Sequence, residues 1–129
     1  VSVCYEDAFG EEIIRALPQA TLLVNVSEDA WFGDSLAPHQ RIQMARLRAL
    51  ETGRPMLRAA NTGPSVVIRH DGEVIARSPQ FEEYVLRATV EPRQGATPYS
   101  RWGNNPVVWL LCGLLAAGFL ATRRGRVSR

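Results

Sequence analysis

An uncharged apolar segment near the end of the chain constrains its fold more than any other sequence feature. Residues 106–122 (PVVWLLCGLLAAGFLAT) contain no charged side chain. At about 1.5 Å per residue, a helix over this segment would span roughly 25 Å of the roughly 30 Å hydrocarbon core of a bilayer. Tyr99, Trp102 and Trp109 are placed for one membrane interface, and arginines begin directly after the other end. The sequence therefore predicts one C-terminal transmembrane helix, with a buried core helix as the alternative.

The charge distribution sets the end of the chain apart from the rest. All fifteen basic residues are arginine, and four of them lie within residues 123–129. Residues 1–122 hold 11 arginines against 13 acidic residues, a net charge of −2. Because the positive charge is confined to a tail, the composition does not indicate a nucleic-acid partner. The positive-inside rule predicts a cytoplasmic basic tail, 123–129, with the globular part on the opposite side.

Residues 1–91 are predicted to form an α/β domain, joined to the apolar segment by a linker over 92–105. The predicted elements are a strand ending at residue 5, a helix over 8–17 capped by Asp7, a strand over 21–26, a helix from Pro38 to a Gly53 cap, β-type segments at 56–60, 65–70 and 73–78, and a strand over 84–90. The Asp71-Gly72 pair predicts a hairpin turn. The chain begins inside an apolar run without methionine, so we expect a piece of a longer protein and no signal peptide at this end.

The two cysteines lie in different settings, and we predict no disulfide between them. Cys112 lies within the apolar segment, whereas Cys4 lies at a strand end just before a predicted helix. Backbone N–H groups at a helix start stabilise a thiolate and can receive an oxyanion, which makes Cys4 a candidate nucleophile. The alternative is a small buried hydrophobe. No CxxC motif or Cys/His cluster is present, so we predict neither a metal nor another cofactor.

Two large aromatic residues, Trp31 and Phe32, lie in the loop SEDAWFGDS between a buried strand and a helix. They could line the mouth of a pocket or cover the end of the sheet, and composition does not separate these interpretations. The two histidines, His39 and His70, are interpreted as solvated residues, so the sequence does not support a Cys–His dyad.

A series of arginines follows the aromatic loop on the predicted helix. Arg41, Arg46 and Arg48 are interpreted as a solvated helix face, with contact to phospholipid headgroups as the alternative.

Several motifs occur in an order that is found in a known family. VCYED, SEDAWFGDS, QMARLRALETGRPMLRAANTG and HDGEVIA follow one another, and TPYSRWGNNP precedes the apolar segment. Together they resemble the bacterial apolipoprotein N-acyltransferases of the nitrilase superfamily, over essentially the whole chain. The resemblance implies an α/β fold, namely the second half of a nitrilase-like α-β-β-α sandwich followed by one C-terminal transmembrane helix.

The resemblance also implies an activity and a location. An acyl chain passes from a phospholipid, through a cysteine thioester, to the N-terminal amine of a diacylglyceryl-cysteine lipoprotein. The expected location is the bacterial inner membrane, with the catalytic part facing the periplasm. A membrane-anchored amidase or nitrilase and a non-catalytic membrane-anchored module are the alternatives.

Matched residue by residue, the resemblance implies that Cys4 is the nucleophile, that Tyr5 supplies an oxyanion-hole N–H and that Glu6 shapes the site. Trp31 and Phe32 fall in the family's substrate loop, and Glu28 stands where an asparagine is expected. The family's catalytic triad also needs a glutamate and a lysine, which would lie upstream. This chain contains no lysine. We therefore expect the 129-residue segment alone to be inactive.

Overall fold

The computed structural model describes the backbone of residues 1–127 and the side chains of residues 1–122. The side chains of the predicted basic tail, 123–129, lie outside the described residues. Five strands form one mixed sheet in the order β1-β2-β3-β4-β5. The strands are β1 (Ser2–Val3), β2 (Leu23–Ser27), β3 (Met56–Ala60), β4 (Val66–Ile68) and β5 (Val74–Arg77). The first three pair in parallel and the last three antiparallel, which confirms the predicted α/β class.

The helix that covers the sheet is α2 (Ala37–Thr52), which follows the short α1 (Gly10–Ile13). Pro38 lies in the first turn of α2, and Gly53 ends the helix with a φ of 63°, as predicted from the glycine. The apolar side chains of both helices meet one face of the sheet. The core consists of Ile13, Leu23, Ile42, Ala45, Ala49, Met56, Val66 and Ile68.

The opposite face of the sheet is largely uncovered. Val26 of β2 is 42% exposed and Val3 of β1 is 56% exposed, although both belong to strands whose alternate residues are buried. Successive side chains of a strand point to opposite faces, so only the helix side of this sheet is a finished core. The same opposite face is buried at Val67 of β4, which is 7% exposed, so the half-sandwich stays a prediction.

Two predicted elements near the start of the chain differ from the structure. The predicted helix over 8–17 is divided into α1 and a 3-10 helix, Ile14–Ala16, and a further 3-10 helix, Cys4–Ala8, precedes them. Asp7 does not cap a helix: its buried carboxylate pairs with Arg41 instead. The helical spacing of apolar residues identified the region as helical, but it predicted neither the division into short helices nor the buried ion pair of Asp7.

The region between the sheet and the apolar segment also differs. The predicted strand over 84–90 is irregular, and Val85 is 75% exposed. An alternating pattern does not suffice for a strand, because a strand also needs a hydrogen-bonding neighbour. Within the predicted linker 92–105 lies a short helix, α3 (Pro98–Trp102), which is capped by the Thr97 side chain.

The last helix, α4 (Asn105–Val127), contains the predicted apolar segment. Its residues Asn105–Thr122 are long and apolar enough to cross a membrane, and none of that stretch is buried inside the protein. Within the described residues this helix is therefore not part of the core. The start of the helix is tied to α1, because the Asn104 backbone N–H donates to Glu11 Oε1 at 2.7 Å.

Candidate active site

Cys4 follows β1 directly and adopts a backbone conformation that is unusual for a side-chain-bearing residue. Its φ is +49°, in the left-handed region where a residue other than glycine pays roughly 1 kcal/mol or more. Two side chains hold its carbonyl oxygen in this conformation. Asn25 Nδ2 donates to it at 3.1 Å and Arg41 Nη2 at 2.5 Å. A left-handed residue that is supported in this way is a candidate functional residue.

The thiol of Cys4 is half-buried and lies among polar groups. Ser27 Oγ and Arg41 Nη1 are each 3.9 Å from Sγ. Ser27 reaches this position because β2 runs parallel to β1 in a register that pairs Val3 with Val26. The end of β2 therefore lies beside the turn that begins at Cys4.

Tyr5 and Glu6 complete this turn. Glu6 Oε2 accepts the backbone N–H of Val3 at 2.7 Å, so the Glu6 side chain links the end of β1 to the 3-10 helix. The Tyr5 ring packs edge-on against Phe9, with 5.8 Å between the ring centroids. Arg41 Cζ lies 5.4 Å from the Tyr5 ring, within the range of a cation–π contact.

Behind the turn lies a buried cluster of two aspartates and two arginines: Asp7, Asp29, Arg41 and Arg58, none more than 4% exposed. Arg41 Nη2 lies 3.1 Å from Asp7 Oδ1, and Arg58 Nη2 contacts both oxygens of Asp29 at 3.0 and 2.8 Å. Arg58 Nε also lies 3.9 Å from Asp7 Oδ2 and joins the two pairs. Burial raises the pKa of Asp7, and the positive charges of Arg41 and Arg58 oppose that shift.

The cluster extends to the aromatic loop through its first residues. Ser27 Oγ donates to Asp29 Oδ1 at 2.9 Å. Gly63 is the residue that this packing requires, because a Cβ there would overlap with the Asp29 carboxylate. The loop therefore starts from a rigid base next to Cys4.

Glu28 ties the aromatic loop to the β3–β4 connection. It accepts the Ala30 backbone N–H at 2.7 Å and the Asn61 side chain at 2.5 Å. The hydrogen bond from Asn61, followed by that from Ala30, lowers the pKa of Glu28. Glu28, the departure from the family pattern, thus has a structural role of its own in this chain.

The two aromatic side chains of the loop face outward. Trp31 is 90% exposed and Phe32 is 39% exposed. Trp31 therefore does not cover the end of the sheet within the part of the chain that the structure describes. The structure brings the base of the loop to Cys4 through Ser27.

The histidines lie elsewhere. His39 Nδ1 is 2.9 Å from Arg77 Nη2, and His70 lies at the β4–β5 turn. Among residues 1–122 we find no contact of either histidine with Cys4. No three Cys, His, Asp or Glu side chains there form a metal-binding group.

The carbon–nitrogen hydrolase family model matches residues 1–99, which include the whole sheet and the turn at Cys4. The chain belongs to the carbon–nitrogen hydrolase family. Two curated relatives, from Methylococcus capsulatus and Nitrosomonas europaea, are named apolipoprotein N-acyltransferase. They are 50% identical over 127 residues and 54% identical over 126 residues, each over 98% of this chain and 25% of the relative. The chain thus spans about a quarter of the length of these relatives.

A crystal structure of Saccharomyces cerevisiae Nit3, described as a member of branch 10 of the nitrilase superfamily, aligns with 63% of this chain and 33% of its own. The TM-score is 0.49 and the sequence identity is 17%.

In this carbon–nitrogen hydrolase chain, sequence analysis missed most of the polar residues around Cys4. It interpreted Arg41 as part of a solvated helix face, which is wrong: Arg41 is 4% exposed. The sequence does contain a signal for the burial of Arg41, because Arg41, Ala45 and Ala49 recur at intervals of four residues and therefore share one face of the helix. Arg46 and Arg48 are half-buried and bind Gly72 O and Glu51 respectively.

The strand residues carried a similar signal. Asn25 and Ser27 alternate with the buried Leu23 so that all three lie on the same face of β2. Arg58 lies on the same face of β3 as the buried Met56. Polar residues at inward positions of buried strands indicate a polar network or a site, since they would otherwise be costly.

Proposed function

We propose that this chain is the C-terminal part of an apolipoprotein N-acyltransferase. The observation that carries the proposal is the extent of the similarity to proteins of that name. The family model ends at residue 99, whereas the relatives align over 98% of the chain and therefore include the apolar helix. An enzyme that combines a carbon–nitrogen hydrolase domain with such a helix is suited to substrates that are held in a membrane.

In the first step we propose, the Cys4 thiolate attacks an ester carbonyl carbon of a phospholipid. A C–S bond forms, the ester C–O bond breaks, and the lysophospholipid leaves with a proton. The left-handed backbone at Cys4 and its half-buried thiol support this assignment. Tyr5 N–H is the proposed oxyanion donor, and Glu6 holds the turn in shape through Val3.

In the second step the N-terminal amine of a diacylglyceryl-cysteine lipoprotein attacks the thioester. A C–N bond forms, the C–S bond breaks, the nitrogen loses a proton and the Cys4 thiol is restored. A thioester suits this exchange, since it stays reactive toward an amine. Trp31 and Phe32, exposed on the loop whose base at Ser27 lies near Cys4 Sγ, are proposed to guide an acyl chain or the lipoprotein substrate.

We further propose that α4 crosses the bacterial inner membrane, with the tail 123–129 in the cytoplasm and Cys4 on the periplasmic side. Two hydrogen bonds support a fixed relation between this helix and the site. Glu11 accepts from Asn104 N–H, and Thr97 Oγ1 donates to Glu51 O at 2.5 Å. Glu11 lies in α1, directly after the 3-10 helix that begins at Cys4.

A second candidate is a membrane-anchored amidase or nitrilase, which the description of the matched family as carbon–nitrogen hydrolases favours. Both enzymes would form a covalent bond to Cys4, but they differ in the second step. A hydrolase releases the acyl group to water, whereas the transferase releases it to an amine. A non-catalytic module would form no adduct.

The test uses the full-length protein in detergent with phospholipid and a diacylated lipopeptide. Mass spectrometry should find an acyl adduct on the Cys4 peptide and a triacylated lipopeptide as product. Cys4→Ser should abolish turnover, and Cys112→Ser, the matched control at the exposed cysteine, should retain it. Release of free fatty acid without lipopeptide product would favour the hydrolase, and the absence of any adduct on Cys4 would overturn both. We expect residues 1–129 alone to show no turnover.

A further inference from the structure

Arg41 makes more contacts with the turn at Cys4 than a residue that only balances a buried charge would need. Its Nη2 donates to the Cys4 carbonyl at 2.5 Å and lies 3.1 Å from Asp7 Oδ1. Its Nη1 lies 3.9 Å from Cys4 Sγ, and its Cζ lies 5.4 Å from the Tyr5 ring. One guanidinium therefore contacts residues 4, 5 and 7 of the same short helix.

The position of Arg41 on α2 makes this arrangement costly. Arg41 shares its helix face with Ala45 and Ala49, which are both fully buried. Burying a guanidinium among them removes it from water, and a hydrophobic side chain would serve the packing at a lower cost. Arg41 Nη2 alone binds both the Cys4 carbonyl and the Asp7 carboxylate, while Nη1 lies beside Cys4 Sγ and the planar group lies over the Tyr5 ring. Neither a hydrophobic residue nor the single ammonium of lysine reproduces this whole set of contacts.

The backbone conformation of Cys4 gives a reason for burying the Arg41 guanidinium. A φ of +49° is unfavourable for cysteine, and the carbonyl of that residue is where Arg41 and Asn25 both bind. Asn25 belongs to β2, next to β1 in the sheet, and Arg41 belongs to the covering helix. The carbonyl is thus fixed from the sheet and from the helix layer.

We propose that Arg41 is a positioning residue that holds the Cys4 backbone in its left-handed conformation and so directs the thiol toward its reaction partner. The proposal rests on the proposed function, because it takes Cys4 as the nucleophile. It differs from a purely structural role, in which Arg41 only neutralises Asp7. A structural role would change stability and leave the acylation rate of each folded molecule unaltered.

The experiment compares Arg41→Lys and Arg41→Gln with Arg46→Lys in the full-length protein. Arg46 lies on the same helix and binds Gly72 O, away from Cys4, which makes its substitution the matched control. The first readout is single-turnover acylation of Cys4 by phospholipid, followed by mass spectrometry and normalised to the folded fraction. We expect Arg41→Gln to lower the maximal acylation rate at least tenfold, with less than a threefold change in the phospholipid concentration that gives half the maximal rate. Arg41→Lys should lose less of the rate than Arg41→Gln. Arg46→Lys should match the unsubstituted protein.

The second readout does not depend on the proposed function. Alkylation of the Cys4 peptide by iodoacetamide should change at least threefold in Arg41→Gln relative to Arg46→Lys. Equal acylation rates per folded molecule in Arg41→Gln and the control would overturn the positioning role. If the unsubstituted protein forms no acyl adduct, the proposed function fails, and the alkylation rates then test Arg41 alone. Different alkylation rates in Arg41→Gln and Arg46→Lys would support control of the thiol by Arg41. Equal rates would overturn it.

Discussion

The globular part of the chain and helix α4 place their polar and apolar groups in opposite ways. In the globular part, Asp7, Asp29, Arg41 and Arg58 are buried, and they surround the turn that carries Cys4. In α4, uncharged apolar side chains face outward along the candidate span, none of which is buried. Charge is inside one region, and hydrophobic surface is outside the other.

This difference teaches that each region depends on a different surrounding. The buried charges are paired by sign, although Asp7 Oδ2, Arg41 Nε and Arg58 Nε form no hydrogen bond within the described residues. Removing one charge therefore leaves its partner uncompensated. The candidate span in α4 exposes a contiguous apolar surface, which is rare on soluble proteins and fits the proposed position in a membrane. A change in charge should therefore have opposite consequences in the two regions: loss of a charge damages the first, and gain of a charge damages the second.

The largest effect is expected for the loss of a buried charge. Arg58→Met should lower the free energy of unfolding by about 3–5 kcal/mol, because Asp29 loses the two hydrogen bonds from Arg58 and keeps only the one from Ser27, and Asp7 loses a neighbouring positive charge. Urea unfolding of the full-length protein, followed by a probe in the globular part, measures the change. Arg69→Met is the control, since Arg69 pairs with Asp71 and Glu73 at the surface, where solvent screens the ion pairs and their loss has little effect. Equal losses of unfolding free energy in the two variants would show that the buried cluster contributes no more to stability than a surface ion pair.

A slightly smaller effect is expected for the gain of a charge in α4. Leu115→Arg should make membrane insertion of the helix less favourable by about 2.5–3.5 kcal/mol, the cost of an arginine near the middle of a span. A topology reporter fused after residue 129 should be in the cytoplasm for the unsubstituted protein and partly in the periplasm for Leu115→Arg. Val85→Arg is the matched control, because Val85 and Leu115 are both 75% exposed but only Leu115 lies in the proposed span. A periplasmic reporter in the unsubstituted protein would reverse the proposed topology.

The same comparison explains which parts of the molecule could be predicted from sequence. The apolar C-terminal helix and α2 were predictable, because composition and helical spacing are local properties, and Gly53 marked the end of α2. The cluster around Cys4 was not, because it joins residues that are far apart in sequence, such as Arg58 and Asp29. The strand expected over 84–90 failed for the converse reason: its local pattern was favourable, but it pairs with no strand of the described chain.

A third, smaller effect is expected for Trp31, which is apolar and exposed like the side chains of α4. This apolar side chain is 90% exposed although it belongs to the globular part. Trp31→Ala should leave thermal stability within about 0.5 kcal/mol, as is usual for surface substitutions. If Trp31 buries an acyl chain, the loss of about 1.5–3 kcal/mol of apolar contact should weaken substrate engagement roughly 10- to 100-fold.

The measurement is the lipid and lipopeptide dependence of turnover by the full-length protein, beside its melting temperature. Leu36→Ala is the control, since Leu36 is a 67% exposed apolar side chain just before α2. Lower stability with unchanged activity per folded molecule would assign Trp31 to packing instead.

The smallest effect is expected at Glu28, a half-buried carboxylate whose charge is stabilised by local hydrogen bonds. Hydrogen bonds from Asn61 and then from Ala30 hold the pKa of Glu28 below its usual value of 4.5. A carboxyl whose pKa is lower in the folded state contributes stability above its unfolded pKa and loses that contribution as the pH falls through the folded value.

Glu28→Gln can still accept a hydrogen bond from Asn61, but it removes the titrating charge. The melting temperature of Glu28→Gln should therefore lie slightly below that of the unsubstituted protein near pH 6–7, and the gap should close as the pH falls below about 4.5. Melting curves across pH 3–7 measure this gap, and Glu82→Gln, at an exposed glutamate outside the aromatic loop, is the control. A gap that stays constant with pH would mean that the loop is held by the geometry of the hydrogen bonds and not by the charge of Glu28.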